Sequence, residues 1–232
     1  MGHGPDRVWS RKAGEKEMTR TYYWIAVLLA VASFIATWIL YPQLPAVVPT
    51  HWDIHNQVNG YSPKWSLFVF GPGLMLAIIV VFYFLPWLSP KTFEVDSFRA
   101  TYLHIMLIIV AMLAYFHGVI LWMVSGHATN VGRAIIGGVC LLFALLGNVM
   151  GKVRRNFYIG IRTPWALANE RVWNATHRFA AKTFVIVGLT GLLLSIIGFT
   201  GWPVLILVMV GPLAPVAYSL VFYKQLEKRG EL

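Results

Sequence analysis

The chain has 232 residues, 58% of them hydrophobic and only 12% charged. A soluble domain carries about 25% charged residues, so half that supply excludes an ordinary cytosolic enzyme and a disordered tail, while the single cysteine, Cys140, excludes a disulfide-stapled secreted module. A mean hydropathy of +0.65 leaves an integral membrane protein, and the formal net charge of +10 must be read by position before it says anything about partners.

Residues 1–20 read as a charged tail, with Met18 as an alternative start. Six continuously apolar stretches follow, at Tyr22–Leu40, Leu67–Leu88, Leu103–Val124, Gly132–Met150, Thr183–Phe199 and Trp202–Tyr223. Each approaches the roughly 20 residues that cross a bilayer as a helix. Unpaired backbone excludes an open sheet in lipid, and the runs lack the alternation of a barrel strand. Ala30-Val31-Ala32 has the small residues of a signal-peptide cleavage site, but the run continues to Leu40, longer than a signal core, so the first stretch is read as a retained span. The fold expected over residues 21–232 is an all-α integral membrane protein, a bundle of six transmembrane helices.

Direction follows from Lys and Arg. All of them except Lys64 and Arg133 fall in the tail, in the second and fourth connections, or after the sixth span. Both termini are therefore expected to be cytoplasmic. The basic charge is mainly a topology signal, with attraction to anionic lipid second and no nucleic-acid binding expected.

The connection at 41–66 is expected to face outward. Pro42, Pro45 and Pro49 favour an extended lead-in, and Asn59-Gly60 reads as a tight turn. His51, Asp53 and His55 alternate in a way that would put three metal-type ligands on one face of a strand. With no fourth ligand nearby, the reading preferred is that they satisfy turn backbone, and no metal or other cofactor is assigned. Within the third span, His104 and His117 are functional candidates by position, and neutral histidines bonded to a neighbouring helix are the cheaper reading. Gly147-x-x-x-Gly151 permits close helix approach without assigning a dimer.

The connection at 148–182 is the most informative segment. Basic and aromatic residues interleave, Gly160 supplies a backbone freedom other residues lack, Thr163-Pro164 is a helix start, and Asn169 is a second cap. From Glu170 a helix can run into the fifth span, with Trp173, His177 and Ala181 along one stripe and Arg171, Asn174 and Arg178 along the next. Three readings compete: an interfacial amphipathic helix, a docking surface for a protein or peptide, and a site on lipid phosphate using Arg162, Arg178 and Lys182 as an anion clamp with His177 as acid or base. No paired carboxylates, Ser-His-Asp order or phosphate loop is evident, so no enzyme is expected.

Asn148, Asn156, Gly160-Ile161-Arg162-Thr163-Pro164-Trp165-x-Leu167 and Asn169-Glu170-x-x-Trp173-x-x-Thr176-His177-Arg178 together resemble the signature of the SdpI family of bacterial multi-spanning proteins. Pro49-Thr50-His51-Trp52-Asp53, with Gly60 and Lys64, resembles the domain-of-unknown-function segment that precedes it. The resemblance implies a membrane immunity protein against a secreted peptide toxin, which also signals by capturing a cytoplasmic transcriptional repressor. The residues it points to are Asn148, Asn156, Gly160, Arg162, Thr163, Pro164, Trp165, Asn169, Trp173, Thr176, His177 and Arg178, with His51, Asp53, Gly60 and Lys64 in the outer segment. Ala181 stands where the pattern leads one to expect a glycine, which speaks against close helix packing there. The alternative class is a small transporter or membrane enzyme acting on lipid or envelope precursors.

Overall fold

The computed structural model describes residues 5–53, 55–127, 130–199 and 201–232. Helix α1 runs Pro5–Leu40 without a break, so the backbone of the segment read as a tail is helical from Pro5. A 3-10 turn (Tyr41–Gln43) leads into strands β1 (Val47–Trp52) and β2 (Val58–Pro63), which pair antiparallel. The second span is composite: α2 (Ser66–Phe68), a π-helical turn (Val69–Gly73) and α3 (Leu74–Phe84). Then come α4 (Arg99–Val124), α5 (Val131–Met150), the short α6 (Pro164–Ala168), α7 (Glu170–Ile196) and α8 (Trp202–Lys228).

Among the described residues six helical stretches are long and apolar enough to cross a membrane: Lys16–Gln43, Ser66–Phe84, Val95–Val124, Val131–Met150, Glu170–Ile196 and Trp202–Lys228. The apolar surface is turned outward: Trp38 is 66% exposed, Trp87 83% and Met209 70%. An apolar exterior of this extent is unsustainable in water and normal against lipid. The fold is the expected all-α six-span membrane protein, with one hairpin as its only sheet among the described residues.

Because lipid is as apolar as leucine, helices in a bilayer associate through close packing of small residues and through polar contacts. Helices α5 and α7 do this along their length. A Cβ added at Gly147 would lie 2.8 Å from both Phe184 Cβ and Val185 N, one added at Gly137 would lie 2.9 Å from Ser195 Oγ, and Gly188 packs directly on the backbone of Cys140 and Ala144. The expectation that Ala181 disfavours close packing is corrected. The intimate contacts sit at Gly147 and Gly188, and Ala181 Cβ rests 3.8 Å from the Cβ position of Gly151, an ordinary van der Waals distance. On the other side of the bundle α1 presents Ala26, Ala30, Ser33 and Thr37, one buried stripe at helical spacing, to α4.

The π-helical turn marks where α4 crosses the second span. Gly71 has no side chain because the His117 ring occupies that space. His117 is buried, and its Nε2 lies 2.7 Å from Thr37 Oγ1, whose hydroxyl is also 2.8 Å from Ser33 O. His104 meets Tyr22 Oη at 3.3 Å. Both span histidines thus bond to α1.

The hairpin corrects another expectation. Asn59-Gly60 does not make the turn but lies within β2, where Gly60 pairs with His51 and a Cβ would come 2.8 Å from His51 Cβ. The reversal spans Asp53–Gln57. Asp53 Oδ1 accepts the amides of His55 and Gln57, both at 2.9 Å, and Asn56 takes a positive φ of 61°. An Asp side chain that mimics a backbone acceptor, with Asn in the left-handed region, provides what the dipeptide was expected to supply.

Candidate functional site

The segment between α5 and α7 has little regular structure, yet Val153, Asn156 and Ala166 within it are buried. Asn156 is inaccessible and uses all its capacity. Its Oδ1 accepts the amides of Tyr158 and Ile159 at 2.7 Å each, and its Nδ2 donates to Arg154 O at 2.8 Å and Ile159 O at 3.0 Å. Four backbone groups that neither helix nor sheet could pair are thus closed around one amide.

A second lock comes from the first turns of α7. Trp173 is inaccessible and its Nε1 donates to Val153 O at 2.8 Å. The His177 ring stacks on it, centroids 4.0 Å apart and planes 20° from parallel. His177 Nδ1 lies 2.9 Å from Trp173 O, and a carbonyl only accepts, so that nitrogen carries the proton. Nε2 is then the acceptor for the Ile161 amide at 3.1 Å. Both ring nitrogens are committed, which leaves none for the acid–base role considered from sequence. Gly160 has φ +103° and lies so close that a Cβ would strike His177 Nε2.

The helix starts follow the expected chemistry. Thr163 Oγ1 accepts the Ala166 amide at 3.2 Å with Pro164 at the first helical position, and lies 2.9 Å from Ser219 Oγ on α8. Asn169 Oδ1 accepts the amides of Arg171 and Val172 at 2.8 and 3.3 Å. Trp165 is half-buried against the core. Arg155 donates to Leu167 O at 3.2 Å and lies over the Phe93 ring, which itself packs on Phe157 at 4.3 Å, so the second connection is bound to the loop as well.

Asn156, Gly160, Trp173 and His177 therefore come together as one lock, with Thr163, Pro164 and Asn169 as its caps. Arg162, Arg178 and Asn148 are exposed and do not join it; among the described residues Arg162 donates to Phe157 O alone. Thr176 is buried, and its hydroxyl has no partner among the described residues.

At the other end of the bundle the hairpin tip is tied to α5: Asn56 Oδ1 accepts the Gly132 amide at 2.7 Å. Between them opens a cavity of about 490 Å³, lined by Thr50–Asp53, His55 and Asn56 on the hairpin side and by Ile120, Asn130–Arg133, Ile135, Ile136, Gly201 and Leu205 on the helix side. Its volume and mixed lining fall within the range of ligand pockets, about 300–1,000 Å³. The metal-type trio is not assembled there: β1 ends at Trp52, Asp53 serves the turn, and His51 Nδ1 meets Asn59 Oδ1 at 2.5 Å. Among the described residues no group of three His, Cys, Asp or Glu is placed to hold a metal ion. Lys64 is not part of that lining; its Nζ lies 3.1 Å from Tyr41 O and over the Tyr41 ring.

Sequence reasoning missed Arg133. Its Nε donates to Ser195 O at 2.6 Å and its NH2 to Ile196 O, so it caps the carbonyl end of α7 from the mouth of α5. The available signal was its position, as one of two cations away from the basic side.

A family model described as the SdpI/YfhL protein family matches residues 152–221. A second, described as a domain of unknown function (DUF1648), matches residues 28–76. The immunity protein SdpI of Bacillus subtilis (strain 168) is 30% identical over 205 residues, covering 88% of this chain and 95% of that protein. The chain belongs to the SdpI family. It is thus a multi-pass membrane protein of an immunity-protein family, and the two matched regions contain the loop lock and the hairpin. No solved structure matches significantly.

Proposed function

We propose that this SdpI-family chain resides in the bacterial plasma membrane, with both termini and the 148–182 loop in the cytoplasm, and protects its cell from a secreted peptide toxin. The toxin engages the cavity between the hairpin and the starts of α5 and α8, and the loop reports occupancy by holding a cytoplasmic repressor at the membrane. The distribution of Lys and Arg supports this orientation. The observation that carries the reading is the chemistry of the loop lock. Asn156 and His177 have every hydrogen-bonding position in use for structure, so these two signature residues support a rigid platform rather than acid–base chemistry.

The same observation weighs against the transporter or enzyme alternative. Its best residues were His117 and Arg162; the first bonds Thr37 on α1 and the second is exposed and donates to Phe157 O, while His177, the acid or base considered for a lipid-phosphate site, holds the Ile161 amide. For signalling, toxin must bind two arrangements of the bundle with different affinity, because a ligand shifts an equilibrium only by that difference. The test is expression in a toxin-sensitive strain. Survival under toxin challenge is expected with the wild-type chain, and full killing at normal protein levels refutes the reading for that toxin.

A further inference from the structure

A second cavity, of about 400 Å³, opens beside the loop lock and is lined by Gly151, Lys152, Val153, Arg154, Asn174 and Arg178. Three of these six residues are cations and none is an acid. Every other described Lys or Arg with an ion-pair partner lies elsewhere: Arg99 pairs Asp96, Arg171 pairs Glu231 and Lys224 pairs Glu227. The charged groups of Lys152, Arg154 and Arg178 have no hydrogen-bond or ion-pair partner among the described residues, and neither does the side-chain amide of Asn174.

The walls are fixed by the lock itself. Val153 O holds Trp173 Nε1, Arg154 O holds Asn156 Nδ2, and Lys152 N and Val153 N close the end of α5 on Val149 O and Met150 O. On the facing side Asn174 and Arg178 are four residues apart on α7 and share one face. The backbone that carries Lys152 and Arg154 is therefore fixed, and their exposed side chains, with that of Arg178, bring three mutually repelling charges to one opening. The carbonyl end of α5 carries only a partial negative charge, about half a unit, which three full cations outweigh. A multidentate anion removes that repulsion, and Arg forks match phosphate oxygens bidentately.

We infer that this pocket is a phosphate-binding site, taking the headgroup of an anionic phospholipid or a soluble phosphate. It lies where α5 leaves and α7 enters the bundle, the depth at which basic pockets between transmembrane helices meet headgroup phosphates. A phosphate bound there bridges α5 to α7 through residues tied to the lock, so it stiffens the platform. The inference is independent of the toxin reading.

The full chain is reconstituted in nanodiscs of phosphatidylcholine alone, of phosphatidylcholine with phosphatidylglycerol, and of phosphatidylcholine with millimolar inorganic phosphate. Tm and lipid retained in native mass spectrometry are read for the wild type, Lys152→Gln/Arg178→Gln, and a charge-matched control, Lys224→Gln/Lys228→Gln. Phosphatidylglycerol is expected to raise Tm and to be retained at least fivefold less by the pocket variant than by the wild type or control. A Tm rise with inorganic phosphate alone, lost in the pocket variant, identifies the soluble source instead. Equal loss in both variants, or no effect of either anion on the wild type, overturns the site. Should the double variant fail to fold, Asn174→Leu serves the same comparison.

Discussion

Replacing Gly160 with alanine tests the loop lock at its narrowest point. The residue has φ +103°, and its missing side chain is the space taken by His177 Nε2. Backbone strain for a residue with a Cβ in such a region is about 1–3 kcal/mol. The ring cannot retreat, because it is stacked 4.0 Å from Trp173 and tied to Trp173 O. The added Cβ therefore displaces Ile161 from Nε2, and losing that bond adds about 1 kcal/mol. The sum, about 2–4 kcal/mol, acts on local opening of the loop, since the spans themselves are untouched. At about 1.4 kcal/mol per tenfold, the open population rises about 30- to 700-fold. Trypsin reports it by cutting after Arg154, Arg155 and Arg162, at a rate that follows the open population when closing is fast. Gly151→Ala is the control: its φ is −66° and the new Cβ meets Ala181 at 3.8 Å, so cleavage stays within about twofold. A rate for Gly160→Ala less than about threefold above wild type refutes the account of the lock.

Asn156→Ala leaves two amides and two carbonyls unpaired at a buried position, each at about 1–3 kcal/mol, so hydrogen exchange at Tyr158 and Ile159 accelerates by at least about 100-fold. Unchanged protection would mean another group closes that turn. Thr37→Val takes the partner from His117 and lowers the unfolding free energy in mixed micelles by about 1 kcal/mol, typical of an interhelical hydrogen bond; Thr37→Ser keeps the hydroxyl and restores it, and no difference between the two would remove the bond from the account. Ile136→Trp and Leu205→Trp fill the hairpin-end cavity from α5 and α8. Each is expected to abolish protection from toxin at unchanged expression and Tm, and full protection by both would place the toxin elsewhere.

The spans were legible because a run of apolar residues is a local property, and so were the caps at Thr163 and Asn169, whose side chains bond to amides two or three residues on. The hairpin turn was misplaced although its signal was present. Asp53 and Asn56 are as good a turn pair as Asn59-Gly60, and the choice between them depends on Gly132, to which Asn56 bonds across 76 residues. The π-helical turn at Val69–Gly73 could not be read, since it accommodates a histidine from another span. Ala181 misled for the same reason: the residues that admit close approach at that contact lie on the partner helix, at Gly147 and Gly151. Within the loop, Asn156, Trp173 and His177 were expected to bind or signal; their side chains are bonded to loop backbone, a set of partners that residue types alone do not reveal.

The orientation of that loop underlies every functional statement and is directly measurable. In a Cys140→Ala background, single cysteines at Tyr61 in the hairpin and at Arg162 in the loop are challenged with a membrane-impermeant maleimide in intact cells and after permeabilisation. Both positions are exposed, so access is set by side of the membrane. Labelling at 61 in intact cells, and at 162 only after permeabilisation, is the expected result; labelling at 162 in intact cells contradicts the account.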